Sequence, residues 1–165
     1  MSAGDKPLVS GMVTLQHLRA SEVILLFARE QLPSGGAKAP RAARAGTGDS
    51  LLPAGIDALL PAAEPGSVDL VGNEDVFSRL NDCLGVLDVP LESAGPGRQR
   101  VTLTLQRADA RSVCAAVLRL SGHGAARVSG RELVLEGTPQ WLHQALRQVI
   151  RGELQEPKAS LPPAL

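Results

Sequence analysis

Val13-Thr14-Leu15-Gln16-His17-Leu18-Arg19-Ala20-Ser21-Glu22-Val23 has a partner 90 positions later, Leu103-Thr104-Leu105-Gln106-Arg107-Ala108-Asp109-Ala110-Arg111-Ser112-Val113. Val13 matches Leu103, Leu15 matches Leu105, Leu18 matches Ala108, Ala20 matches Ala110 and Val23 matches Val113. Each copy first alternates apolar and polar residues, then changes to a helical period. That pattern is a strand feeding a helix. In the first copy Val23, Leu26, Phe27 and Glu30 set the helix faces, and Pro33 is expected to stop it. In the second, Val113, Ala116, Val117 and Leu120 mark the buried stripe, and Gly122 is the expected stop.

A second correspondence runs at an offset of 65. Val68-Asp69-Leu70-Val71-Gly72-Asn73 matches Leu133-Val134-Leu135-Glu136-Gly137-Thr138. Each reads as a strand, a glycine and a helix N-cap. Glu74 and Asp75 suit the positive end of the first helix, and Pro139 suits the first helical position of the second. Val76 then matches Trp141, Phe77 matches Leu142 and Leu84 matches Val149. Ser129-Gly130-Arg131 reads as a hairpin turn.

The two offsets differ by 25 residues, so the first copy carries an extra loop of that size. The Ala- and Gly-rich run at 33–50 is its expected place, read as flexible and solvated. Ile56-Asp57-Ala58-Leu59-Leu60, within the segment 51–61, fits either a short helix or a hairpin strand. The fold class expected is α+β, two small units in tandem. Each has two helices on one face of a sheet of about three strands. Unit one spans 12–92, a linker 93–99, unit two 100–155, and 156–165 is expected to be a disordered tail. Units of this size are marginal alone.

Composition narrows the function classes. The 165 residues include three aromatics, Phe27, Phe77 and Trp141, and no tyrosine. The core is therefore aliphatic, and base-stacking platforms have almost nothing to be built from. Net charge is zero, yet residues 1–92 carry 7 basic and 12 acidic side chains and residues 93–165 carry 10 and 5. No run reaches the ~18 apolar residues of a membrane span. The stretch from Met1 to Gly11 is polar and lacks the apolar core of a signal peptide.

No chemical constellation emerges, and no catalytic, cofactor-binding or metal-ligating residue is expected. His17, His123 and His143 lack the spacing of a helical metal site and read as surface or turn residues. Cys83 and Cys114, 31 positions apart, fit neither zinc nor a disulfide framework, and read as buried thiols on apolar helix patterns. Gly46-Thr47-Gly48 is followed by Asp49-Ser50, which is not a phosphate loop. Trp141 reads as a core or inter-unit packing residue. Ser121-Gly122-His123-Gly124 places its glycines one residue too close for the G-x-x-G loop of a KH domain. It reads instead as a helix cap followed by a turn. Arg98, Arg100, Arg107 and Arg111 read as a solvated sheet edge. The alternative is a KH-like nucleic-acid module that uses them as a basic strip.

Val68-Asp69-Leu70-Val71-Gly72, the helix from Glu74 to Leu87 and the step Leu87-Asp88-Val89-Pro90 resemble the N-terminal repeat domains of bacterial secretins, including the NolW-like repeats. Val13-Thr14-Leu15 with Ala20-Ser21-Glu22-Val23 is similar to that family's strand and helix start. Val101 to Leu105, Arg111-Ser112-Val113 and Leu120-Ser121-Gly122 resemble the short secretin and TonB-receptor signalling domain. The resemblance covers roughly residues 12–155. It implies a non-catalytic module of a type II secretion or type IV pilus system. Such a module forms homo-oligomeric ring contacts and meets other secretion or pilus components beneath an outer-membrane channel. It implies a periplasmic location if the chain is a part of a secretin. The stretch contains no large barrel region, so an excised ring domain or an accessory protein of the same fold is expected. Nucleic acid is not an expected partner.

Overall fold

The computed structural model describes residues 9–29, 42–46, 50–64, 66–120, 122 and 124–154. The expected stop at Pro33, His123, most of the insert and the expected tail lie outside the described residues. The chain divides into two compact units, one ending at Pro90 and the other beginning at Leu91.

The first unit runs β1 (Val9–Thr14), α1 (Ala20–Ala28), β2 (Ala43–Arg44), β3 (Ile56–Pro61), β4 (Ser67–Gly72), α2 (Glu74–Leu87). The second runs β5 (Glu92–Gly95), β6 (Arg98–Thr104), α3 (Ala110–Leu118), β7 (Gly124–Ser129), β8 (Glu132–Gly137), α4 (Pro139–Leu154). The sheets are antiparallel, in the orders β1-β4-β3-β2 and β5-β6-β8-β7. The β-α-β-β-α core is thus common to both units, with the last core strand between the other two.

Each sheet has four strands rather than about three, and the fourth strands lie on opposite flanks. β2 extends the first sheet beside β3, and β5 extends the second beside β6. The expected linker at 93–99 is therefore a hairpin. Its corner is Pro96-Gly97, with Gly97 at φ 69°, a conformation that glycine takes without steric cost. The segment left open between helix and strand is β3. Ile56, Ala58 and Leu59 are buried there, across a register shift between Ile56 and Ala58. That bulge explains why no strict alternation marks the strand in the sequence.

Alternation elsewhere separates a core face from an open face. Val101, Leu103, Leu133 and Leu135 are buried, while Thr102 and Thr104 are exposed. In the first unit Val68, Leu70 and Gly72 face inward with Val23, Ile24, Leu26 and Phe27 of α1 and Leu80, Cys83 and Leu84 of α2. Gly72 has a steric reason. A Cβ there would run into the backbone carbonyl of Gly55 and the Cα of Ile56. The turn Gly130-Arg131 joins β7 to β8, with Gly130 at φ 63°. A positive φ at the first turn position suits a two-residue hairpin.

The N-termini of α1 and α3 share the reciprocal cap between them. In α1 the Arg19 N–H donates to Glu22 Oε1 at 2.8 Å. In α3 the Ser112 N–H and hydroxyl donate to Asp109 Oδ2 at 3.1 and 2.8 Å. A complete capping box would hold both bonds in one helix. Each copy keeps one half.

Candidate assembly surface

The turn between the first core strand and its helix is fixed in the same way in both units. Asp88, just after α2, accepts hydrogen bonds from the backbone N–H groups of Gln16 (2.7 Å), His17 (2.7 Å) and Leu18 (3.0 Å). Glu153 in the last turn of α4 accepts from those of Gln106 (3.1 Å), Arg107 (2.9 Å) and Ala108 (2.7 Å), all through Oε2. The offset of 65 carries Asp88 onto Glu153, and the offset of 90 carries the three donors of one turn onto those of the other. One carboxylate per unit therefore pins the end of the second helix to the start of the first. It also satisfies three N–H groups that no strand or helix ladder reaches. The sequence held this signal in the two offsets, but the acids differ in type and the contacts span 70 to 72 positions in the first unit and 45 to 47 in the second.

Asp88 is half-buried. Burial raises its pKa, but the N–H groups of Gln16, His17 and Leu18 and the nearby His17 side chain outweigh it and hold the carboxyl below its ordinary 3.8. A depressed folded-state value means that the clamp's contribution is complete above the ordinary carboxylate value and fades as pH falls through the lower folded one. Asp88→Ala should cost about 1.5 kcal/mol at neutral pH, the scale of hydrogen bonds to a charged acceptor that water partly reaches. Urea titrations of both proteins at several pH values check this. The gap between them should close in acid, and a gap independent of pH would contradict it.

The histidines separate. His17 is exposed in the clamped turn, whereas His143, expected on the surface, is 4% exposed in α4. The helical stripe of α4 is broad: Trp141, Leu142, Ala145, Arg147, Val149 and Ile150 are buried beside it. Cys83 is buried, but Cys114 is only half-buried, off the buried stripe that Ala110, Val113 and Val117 make on α3. Among the described residues no group of three His, Cys, Asp or Glu side chains is placed to hold a metal ion. No described helix is long and apolar enough to cross a membrane.

The arginines do not form one strip. Arg98 and Arg100 share Glu136 on the open face of the second sheet, at 3.8 and 3.1 Å. Arg107 lies in the clamped turn and Arg111 on the exposed first turn of α3. Gly122 and Gly124, compared above with the G-x-x-G loop of a KH domain, are where the Trp141 indole rests. A Cβ on Gly122 would stand 3.3 Å from Trp141 Cδ1, and one on Gly124 would overlap the ring.

The most distinctive surface is the outer side of β1. It is an edge strand, and among the described residues no strand lies beyond it, whereas its counterpart β6 is covered there by β5. Val9–Thr14 contains neither a charge nor a proline, two common devices that blunt an edge. Met12 is 54% exposed on the open face and Val9 37% on the helix side. Gly11 lets the Phe77 ring approach the strand, since a Cβ would come within 3.1 Å of it. A shallow groove follows the edge, lined by Gly11, Met12 and Val13 and by Phe77, Ser78 and Asn81 of α2. Backbone polar groups and apolar side chains at one edge are the requirements for adding a strand.

No family model, curated protein or solved structure matches this chain.

Proposed function

We propose that the chain is a non-catalytic assembly module of the secretin N-domain kind. It would make homo-oligomeric contacts and bind other components of a type II secretion or type IV pilus system, in the periplasm. The observation that carries this reading is the unblunted β1 edge on one of two copies of a small α+β unit. An edge strand with no strand beside it among the described residues, and with neither charge nor proline, is a ready-made surface for protein contacts. The opposite net charges of the two halves supply electrostatic complementarity between neighbours. The unit's form, a strand and helix followed by a hairpin and a second helix, agrees with the resemblance of Val68 to Pro90 and of Val101 to Gly122 to the secretin repeats.

Sedimentation across protein and salt concentrations tests it, together with capture of envelope proteins from the source cell by the tagged chain. The expected result is a mass that rises with concentration and weakens with salt, with secretion or pilus components captured. A strict monomer that captures none of them would remove the reading.

A further inference from the structure

We infer that the uncovered edge of β1 receives β7 of a second copy of this chain, so that the sheets of neighbouring molecules join head to tail. This deepens the assembly reading above and rests on it.

β7 is the other core-strand edge left uncovered among the described residues, because the sheet order places it outermost in the second unit. The two edges match in length, six residues each. They also match face by face. On the open faces, Met12 of β1 stands in register with Asp69 of β4, and Arg127 of β7 stands in register with Val134 of β8. Joining β7 to β1 puts Arg127 on the same face as Asp69, two strands away. Neighbouring strands lie ~4.8 Å apart, so the two residues stand ~10 Å apart across the sheet, a distance that an extended arginine and the aspartate cover between them. On the helix sides, α3 lies against β7 and leaves Leu118 57% exposed, while Val9 and half-buried Phe77 flank β1. The apolar side of one edge therefore meets the apolar side of the other, and a cation meets an anion on the reverse.

The charge imbalance selects a copy of the same chain as the occupant. The acceptor edge belongs to the acidic half and the donor edge to the basic half. Because the two edges are different, the contact is heterologous. It closes into a ring where the rotation allows and otherwise propagates.

Two variants test this in the full chain, both at exposed side chains and both checked for an unchanged melting curve. Met12→Lys places a cation beside the incoming Arg127, and Arg127→Glu places an anion toward Asp69. Each should weaken self-association roughly tenfold. Each variant still carries one intact edge. An equimolar mixture pairs the unaltered edges and sets the introduced lysine against the introduced glutamate, so it should associate further than either variant alone, by sedimentation, at concentrations where each alone is monomeric. Hydrogen exchange should show the amides of Val9–Thr14 and Gly124–Ser129 gaining protection together as protein concentration rises. A mixture no better associated than its components would mean like-with-like pairing of edges and would overturn the proposal. Association that survives both substitutions would also overturn it, while leaving the broader assembly reading intact. Protection of β1 that is independent of concentration would show the edge covered within one molecule, and again overturn it. A monomer at every concentration would remove both readings.

Discussion

Glu153→Ala is expected to lower stability by about 4 kcal/mol, the larger of the two clamp effects. Glu153 is fully buried, and its Oε2 holds three backbone N–H groups. Alanine strands those donors at a part-buried turn and leaves a cavity where the side chain stood. Each loss costs on the order of 1–2 kcal/mol. Asp88 makes the same three bonds from a half-buried position, so water substitutes more readily there. Among the described residues Glu153 Oε1 has no hydrogen-bond partner. Glu153→Gln is expected to lose much less, since an amide oxygen still serves the turn. Because Trp141 is the only tryptophan, its fluorescence during urea unfolding reads the second unit directly. A Glu153→Ala midpoint within error of the parent would show that the turn holds without the carboxylate.

The duplicated architecture was legible because apolar periodicity and turn chemistry agreed within each copy. Val68 to Asn73 and Leu133 to Thr138 announced β4, β8 and the helices after them, and Pro139 does open α4. The extra strands were not legible. Ala43–Arg44 is too short to show a period, and Glu92-Ser93-Ala94-Gly95 is an exposed edge with no apolar face to write into the sequence. Only the Pro96-Gly97 corner hinted that the chain doubled back. Asn73 illustrates a subtler limit. It occupies the N-cap as its residue type suggested, yet its side chain makes no cap bond. The candidate surface was hidden for a related reason. An open edge is defined by the strand that is not beside it, and no local pattern encodes pairing order. What the sequence did carry was the run Val9–Thr14 without charge or proline.

Gly124→Ala is expected to destabilise the second unit by about 3 kcal/mol, the upper range of forced overpacking. Gly124 opens β7 and pairs with Gly137 of β8, and the Trp141 indole lies across that position. A Cβ on Gly124 falls within the volume of the ring, touching Cδ2, Cε2 and Cε3. Strand and ring cannot both keep their places. The indole is 3% exposed and Ala145, one turn further along α4, is fully buried, so the ring has no vacant direction within the core. Moving it outward exposes one of the largest side chains in the chain, whose burial contributes on the order of 2–3 kcal/mol. Moving the strand instead breaks its register with β8. Both routes change the indole's surroundings, so the variant should show a lower unfolding midpoint and red-shifted Trp141 emission in the native state. A second substitution, Trp141→Leu, should relieve the clash. Gly124→Ala in that background should then cost well under the single-variant value, a coupling that a double-mutant cycle measures. Equal costs in the two backgrounds would mean that Gly124 is required by its backbone conformation rather than by the ring.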